Sequence, residues 1–474
     1  MVEAPTAFGP VPTSSQLAWH ELEFYAFVHF TTNTFTDREW GYGDESPEVF
    51  QPSAFDADQI VGVLADAGAR AVILTCKHHD GFCLWDSAHT EHDVASSDWL
   101  DGEGDVVRAF AEACRSRNIR FGVYLSPWDR NHPAYGEPEY VEYFRAQLSE
   151  LLTRYGPICE VWFDGANGGD GYYGGARETR HIDRTSYYGW EETFALVREL
   201  QPNAVIFSDV GPDVRWVGNE AGFAGDPCWA TYNPMPLKGG ATAAPGATQY
   251  REAEHGHRDG THWMPAEADV SIRPGWFYHE SENDSVRSPE NLFELYMKSV
   301  GRGASLLLNV PPDRRGMIHE ADEASLREFG ELLKGTFGID LAEGATAFAS
   351  NSRGRSQMFD PENSIDSDQT SYWATEDEIR EAWLEIRLPE VQTFNIVSLR
   401  EYLPLGQRID EWAIDVWEGE GWIELSSGTS IGARRLVWSE PVTTDRIRLR
   451  IIEAAACPAL SEFSLHLGPM IGVE

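Results

Sequence analysis

One aspartate carries the strongest chemical suggestion in this sequence. Asp164 ends the apolar run CEVWFD (159–164) and is followed at once by Gly165, Ala166, Asn167 and Gly168. A carboxylate held at the end of a buried strand, with small residues beyond it, can approach a substrate atom closely. An aspartate that only caps the following turn would use the same residues. Further polar groups recur where other apolar runs end. His29 follows FYAFV, His78 and His79 stand in CKHHDGF, and Tyr124 lies near the end of RFGVYL. Asp209, Asp213, Arg215, Trp216 and Glu220 follow AVIF, while Trp276 lies in RPGWFYHE and Glu39 precedes Trp40.

The residue types narrow the chemistry. No serine elbow joins a strand to a helix, and no Cys-His pair has a telling spacing. His29, His78, His79 and Asp164 are possible metal ligands. Neighbours on a strand face opposite sides, however, so His78 and His79 share a metal only if the strand stops there. No metal and no cofactor are expected. Two carboxylates among hydrogen-bonding and aromatic side chains are instead the equipment of a glycosidase. Trp40, Trp128, Trp162, Trp216 and Trp276 offer flat apolar surfaces for sugar C–H faces. The histidines and Tyr124 offer directional partners for hydroxyls.

The elements that must position these groups repeat. FYAFVHF (24–30) reads as a first strand. In FDADQIVGVLADAGA, Asp56 in N-cap position and Gln59 three residues on open a helix with apolar residues at helical spacing. AVILTC then reads as a parallel strand buried on both faces. The cycle continues through RFGVYL, CEVWFD and AVIFSD. A sixth strand is expected near CWATYN (228–233), a seventh near ADVSIRP (268–274) and an eighth at ASLLLNV (304–310). About eight β/α units predict an α/β fold, a (β/α)8 TIM-like barrel over residues 1–343. An open doubly wound sheet is the alternative, but no glycine-rich phosphate fingerprint follows any strand. Residues 344–474 change to short alternating runs separated by turns, which predicts an all-β antiparallel sandwich.

Composition excludes several partners. The 474 residues carry 37 Lys+Arg against 77 Asp+Glu, a formal charge of −40. Such a surface repels phosphate backbones and anionic membranes, so neither nucleic acid nor a membrane is an expected partner. Lysine occurs only at 77, 238, 298 and 334; a lysine-poor, acid-rich surface fits adaptation to high salt and equally a bias in genome composition. No apolar run is long enough to span a bilayer, and the N-terminus lacks the features of a secretory signal. Six scattered cysteines read as free thiols of a reducing compartment, and the cytoplasm is the expected location.

The motifs FVHFTTNTF with Glu39-Trp40, TCKHHDGFCLWDS, YLSPWDRN, EVWFDGANG and RWVGNE together resemble the α-L-fucosidases of glycoside hydrolase family 29, over residues 15–340. WFDGANG and GNE are most similar to the branch that cleaves α-1,3 and α-1,4 fucosyl linkages. The resemblance implies a retaining exo-α-L-fucosidase acting on fucosylated oligosaccharides through a covalent intermediate. It implies Asp164 as nucleophile and Glu220 as general acid/base, with Asp209, Asp213 and Glu267 as competitors for the second role. It also implies a fucose pocket of His29, Glu39, Trp40, His78, His79, Tyr124, Arg215 and Trp276, in which the histidines can donate to sugar hydroxyls and at least one of His78 and His79 touches the sugar. Trp276 and Phe277 would cradle the fucose methyl group. The C-terminal region resembles a discoidin-like (F5/8 type C) sandwich, whose candidate sugar-binding aromatics are Tyr372, Trp373 and Tyr402. DPENSIDSDQTS is oxygen-rich enough for calcium. The alternatives are a non-catalytic fucose-binding protein on this scaffold and a glycosidase for a related sugar such as galactose. Oligomeric state is not legible.

Overall fold

The structure, a computed structural model, describes residues 2–470. Its N-terminal part is a closed barrel of eight parallel strands: β1 (Phe24–Val28), β2 (Ala71–Lys77), β3 (Arg120–Leu125), β4 (Glu160–Trp162), β5 (Val205–Ser208), β6 (Val214–Trp216), β7 (Ala266–Ser271) and β8 (Ser305–Asn309). Each strand pairs with its sequence neighbours, and β8 closes onto β1 through Phe24 opposite Leu306. The seven residues of β2 are all buried: the mostly apolar Ala71–Cys76 run requires it, and Lys77 at the end is paired with Asp129 at 3.2 Å.

Helices α1 (Ser14–His20), α2 (Ala57–Asp66), α3 (Val106–Ser116), α4 (Pro138–Arg154), α5 (Trp190–Leu200), α6 (Pro289–Ser299) and α7 (Glu320–Phe337) accompany the barrel. Asp56 caps α2 by accepting from the Gln59 amide at 3.0 Å. The reciprocal half of the capping box is missing, because Gln59 Oε1 accepts from Ile318 N instead.

The sixth strand is not where the sequence suggested. Val214–Trp216 fills that place, joined to β5 by the short segment 209–213, and no α-helix follows either β5 or β6. CWATYN contributes only Thr231–Tyr232, which pairs with His262–Trp263 in a two-stranded antiparallel sheet outside the barrel. A three-residue strand carries too little periodicity to stand out, whereas CWATYN has the composition of one. The correction moves Glu220 from a loop after strand five to a loop after strand six.

The C-terminal part is a seven-stranded antiparallel sheet: β9 (Thr346–Ala349), β10 (Trp373–Ala374), β11 (Ala382–Glu401), β12 (Ile409–Glu418), β13 (Gly421–Thr429), β14 (Arg435–Ala454) and β15 (Ala459–His466). β11 and β14 each run 20 residues, and register shifts near Gln392 and Ile396 let such long strands bend around one core. Trp373, Leu384, Ile414, Leu449 and Phe463 lie in that core. Trp373 is therefore a core residue, and Tyr372 is buried in a stack on Tyr402 with ring centroids 3.9 Å apart. In the oxygen-rich loop, Asp366 accepts from Ser371 Oγ and Asp368 from Thr370, so these carboxyls are held by the loop itself.

Ion pairs join the two parts. The buried Glu23 carboxylate, just before β1, receives Arg400 of β11, and Arg434 at 3.0 Å, with Tyr296 Oη also at 3.0 Å. Burial raises its pKa, but Arg434 and Arg400 more than reverse this and hold it well below the usual carboxylate range. A group depressed in this way stabilises the fold above its unfolded pKa, and that stability is lost as pH falls through the folded value. Glu23→Ala strands two buried arginines and is expected to cost about 3–5 kcal/mol, seen as a lower melting temperature at pH 7 that converges on wild type in acid.

Candidate active site

The C-terminal ends of the barrel strands surround a cavity of about 300 Å³. Inward-facing residues alternate along each strand, so β4 places Glu160, Trp162 and then Asp164 on the barrel axis. Trp162 stacks on Phe207 of β5 with centroids 4.1 Å apart and on Tyr124 of β3 at 5.2 Å, forming an aromatic floor. Asp164 stands above that floor, one quarter exposed. Its Oδ2 accepts from Tyr124 Oη at 3.0 Å and its Oδ1 from the Ala166 amide at 2.6 Å. Burial raises its pKa, and these two donors work against the rise. His79 Nε2 lies 3.8 Å from Oδ2, too far for a hydrogen bond.

The Tyr124 contact fixes the carboxylate and tunes it. Removing a hydrogen bond to a charged group shifts its pKa by about one unit. Tyr124→Phe is therefore expected to move the acid limb of kcat/KM about one unit to higher pH, because more Asp164 is protonated at a given pH. An unmoved limb would mean that Asp164 does not set it.

The three histidines are all buried, and burial pushes each pKa down, to about 3 for His29 and His79, so all are neutral. Their networks assign the tautomers. Asn309 Nδ2 donates to Ser271 Oγ at 2.9 Å and to the Trp276 carbonyl at 2.8 Å, which turns its Oδ1 toward His29 Nδ1 at 2.8 Å. His29 thus donates through Nδ1 and keeps Nε2 as an acceptor. Ser126 Oγ donates to the Trp128 carbonyl at 2.6 Å and so accepts from His79 Nδ1 at 2.7 Å, again leaving Nε2 as an acceptor. Only His78, whose buried Nδ1 has no partner, is left to offer a proton through Nε2. The histidines can therefore not all serve as donors: the network makes His29 and His79 acceptors at Nε2 and leaves donation to His78.

Glu39 lines the cavity and holds its wall. It accepts from the Trp276 amide at 2.8 Å, the Phe277 amide at 3.1 Å and His279 Nε2 at 2.7 Å. Trp276 thereby presents its ring to the cavity, whereas Phe277 is buried behind it against His29 and His78. Trp40 is 52% exposed and packs edge-on against His79 and Trp128, a flat surface at the entrance.

Glu220 stands at the exposed rim, in the loop after β6, and lines the same cavity as Asp164. Partial desolvation raises its pKa; the Trp276 side chain opposes this, and the charges of Asp164 and Glu39 add to the rise. Its competitors are otherwise engaged. Asp213 is salt-bridged to Arg198 outside the cavity, and Glu267 is fully buried beneath it. Asp209 lines the cavity but is fixed by Tyr250 Oη at 2.8 Å and Gly246 N at 2.9 Å, with burial pushing its pKa up to about 6.

Arg215 is a second correction. It lies on β6, whose alternation turns Trp216 into the barrel and Arg215 out of it. The guanidinium is fully buried against the backbone carbonyls of Ala253, Met264 and Trp229, and it does not line the cavity. Placing strand six correctly would have revealed this orientation. Sequence reading also missed Asp269, Tyr250 and Arg184. Asp269 of β7 lines the cavity and accepts from Trp216 Nε1 at 2.6 Å; period-two spacing along ADVS was the available signal. Arg184 ties the turn after Asp164 to a distant loop through the carbonyls of Asn167 and Gly246, a pairing without a sequence signature. Among the described residues no cluster of three or more His, Cys, Asp or Glu is arranged to hold a metal ion.

The family model described as Alpha-L-fucosidase matches residues 9–227 and 230–336. The chain belongs to the α-L-fucosidase family. It is 41% identical to Alpha-L-fucosidase 1 of Arabidopsis thaliana over 473 residues, covering 99% of this chain and 90% of that protein. A glycoside hydrolase 29 family member from an unknown rumen bacterium superimposes with a TM-score of 0.86 at 41% identity, covering 99% of this chain and 79% of that one. A Ruminococcus gnavus GH29 fucosidase solved in complex with fucose gives a TM-score of 0.88 at 33% identity, covering 99% and 97%. The family match covers the barrel that carries the site, so these α-L-fucosidase motifs and the cavity coincide.

Proposed function

We propose that this chain is a retaining exo-α-L-fucosidase that releases terminal α-1,3- and α-1,4-linked fucose from Lewis-type oligosaccharides. The observation that carries this reading is one aromatic-floored cavity holding a partly exposed, doubly hydrogen-bonded Asp164 and a rim carboxyl, Glu220, whose pKa is raised partly by the Asp164 charge. Asp164 attacks the anomeric carbon while Glu220 protonates the departing oxygen, giving a fucosyl-Asp164 ester. Esterification removes the Asp164 charge, so Glu220 loses that repulsion, becomes more acidic and is then ready to deprotonate water. Retention by this route requires the two carboxyl groups to approach within about 5–5.5 Å in the working complex.

The recognition chemistry matches a 6-deoxy sugar. The floor and walls from Phe27, Trp162, Phe207 and Trp276 are apolar and suit a methyl group better than a hydroxymethyl group. His29 and His79 accept from sugar hydroxyls and His78 donates. The linkage preference rests on the WFDGANG and GNE stretches. It predicts that Lewis-type trisaccharides are cleaved well and α-1,2-fucosyllactose poorly, measured as fucose released per unit time. Equal rates would refute the preference, and a clear preference for nitrophenyl β-D-galactoside over nitrophenyl α-L-fucoside would refute fucosidase action.

The C-terminal sheet is read as a discoidin-like module. With Trp373 in the core and Tyr372 stacked internally, its aromatics serve packing first. Six free cysteines, five of them buried, agree with a reducing compartment such as the cytoplasm.

A further inference from the structure

Beneath the aromatic floor, the lowest layer of the barrel holds two glutamates in place of the branched aliphatic residues that usually fill it. Glu160 of β4 and Glu267 of β7 are both completely buried. Glu267 Oε1 accepts from Trp162 Nε1 at 2.8 Å, and its Oε2 accepts from Tyr25 Oη. Trp19, on α1 below the barrel, donates Nε1 to Glu160 Oε2 at 3.2 Å and lies 3.0 Å from Tyr25 Oη. The two carboxyls are within hydrogen-bonding reach of each other, and no arginine or lysine bonds to either. Glu160 Oε1 is buried without any donor.

Two ionised carboxylates sealed together without a cation would carry a desolvation cost of several kcal/mol each. One proton between them removes most of that cost and also explains the orphaned oxygen. An acid proton on Glu160 Oε1 donates to Glu267, which then accepts from three donors. Burial pushes the Glu267 pKa up to about 7, and these three hydrogen bonds oppose that rise, so of the two carboxyls Glu267 is the one that gives up its proton more readily. We propose that Glu160 and Glu267 form a proton-sharing pair that positions the floor of the sugar cavity, with Glu160 keeping the proton and Glu267 the charge that fixes Trp162. Glu267 is a positioning residue in this scheme. It orients the Trp162 indole, Trp162 carries Tyr124 in a stack, and Tyr124 donates to Asp164. Burial and the neighbouring Glu267 charge raise the Glu160 pKa. The other titratable groups around the pair are Tyr25 on β1, Cys159 just before β4 and Asp269 farther along β7.

Glutamine substitutions separate the two roles. Glu160→Gln imitates the protonated acid, and its kcat/KM on nitrophenyl α-L-fucoside is expected to stay within about twofold of wild type. Glu267→Gln cannot accept from three donors, and kcat/KM is expected to fall about tenfold, the loss of one hydrogen bond to a charged group. A group held protonated in the fold stabilises it fully below the unfolded pKa, and that stability is lost as pH rises. Glu160→Gln is therefore expected to melt above wild type at pH 8, with the gap closing toward pH 5. Infrared difference spectra at pH 7 should show one protonated-carboxyl band in wild type that is missing in Glu160→Gln. No lost band, a Glu160→Gln that fails to fold, or equal activity losses in the two variants would overturn the assignment. The infrared and melting experiments need no turnover, so they stand apart from the fucosidase reading on which the positioning role rests. If wild type released no fucose, that reading would fail while the proton assignment could still be decided. Should Glu267→Gln not fold, the Glu160→Gln spectra and melting curves decide alone.

Discussion

Asp164→Ala is expected to lower kcat on a Lewis-type trisaccharide by roughly 10³-fold or more, the scale seen when a catalytic nucleophile is removed. The position leaves no substitute. His79 Nε2 is neutral and 3.8 Å away, and Asp209 is held by Tyr250 and Gly246. Removing the side chain also opens space above Trp162 on the face from which Asp164 attacks. Azide can enter there, so added azide is expected to restore turnover and yield β-fucosyl azide from an α-fucoside. Full activity in Asp164→Ala would refute the mechanism outright. Recovery of α-fucosyl azide would place the attack on the wrong face.

Glu220→Gln is expected to cost about 10²–10⁴-fold on the trisaccharide, the range of general acid/base catalysis. On a dinitrophenyl fucoside, whose leaving group needs no proton, the effect on the first step should be slight. That split distinguishes proton donation from a binding role, which would weaken both substrates alike. Burial, Asp164 and Glu39 all raise the Glu220 pKa, so its deprotonation sets the alkaline limb of wild-type kcat/KM above the ordinary glutamate range. The limb should disappear in Glu220→Gln. If it persists, another group titrates there, and Asp209, pushed up to about 6, is the nearest alternative.

How far the sequence disclosed these arrangements depended on the length of the signal. β2 and β3, seven and six residues long, mostly apolar and with capped helices beside them, were readable because periodicity and caps agreed. β6 has three residues and no helix after it, so the more strand-like CWATYN drew the assignment. That error displaced Arg215, since facing follows from strand register. Asp164, the histidines, Tyr124 and Trp276 lie in long motifs and were legible as a set. The tautomers of His29 and His79 were not, because they depend on Asn309 and Ser126, far away in sequence. Glu267 stood out only as a competitor for the general acid/base role; its pairing with Glu160 and Trp162 exists only once β4 and β7 curve into one barrel.

The central claim is that Asp164 forms a covalent bond to the sugar. The most direct measurement is peptide mass mapping after brief exposure to a slow 2-deoxy-2-fluoro-fucosyl fluoride, which traps such an ester. One fucosyl label on the peptide bearing Asp164, absent from Asp164→Ala, is the result expected. A label on Glu220 or Asp209 instead, or no label together with product of inverted configuration, would contradict the account.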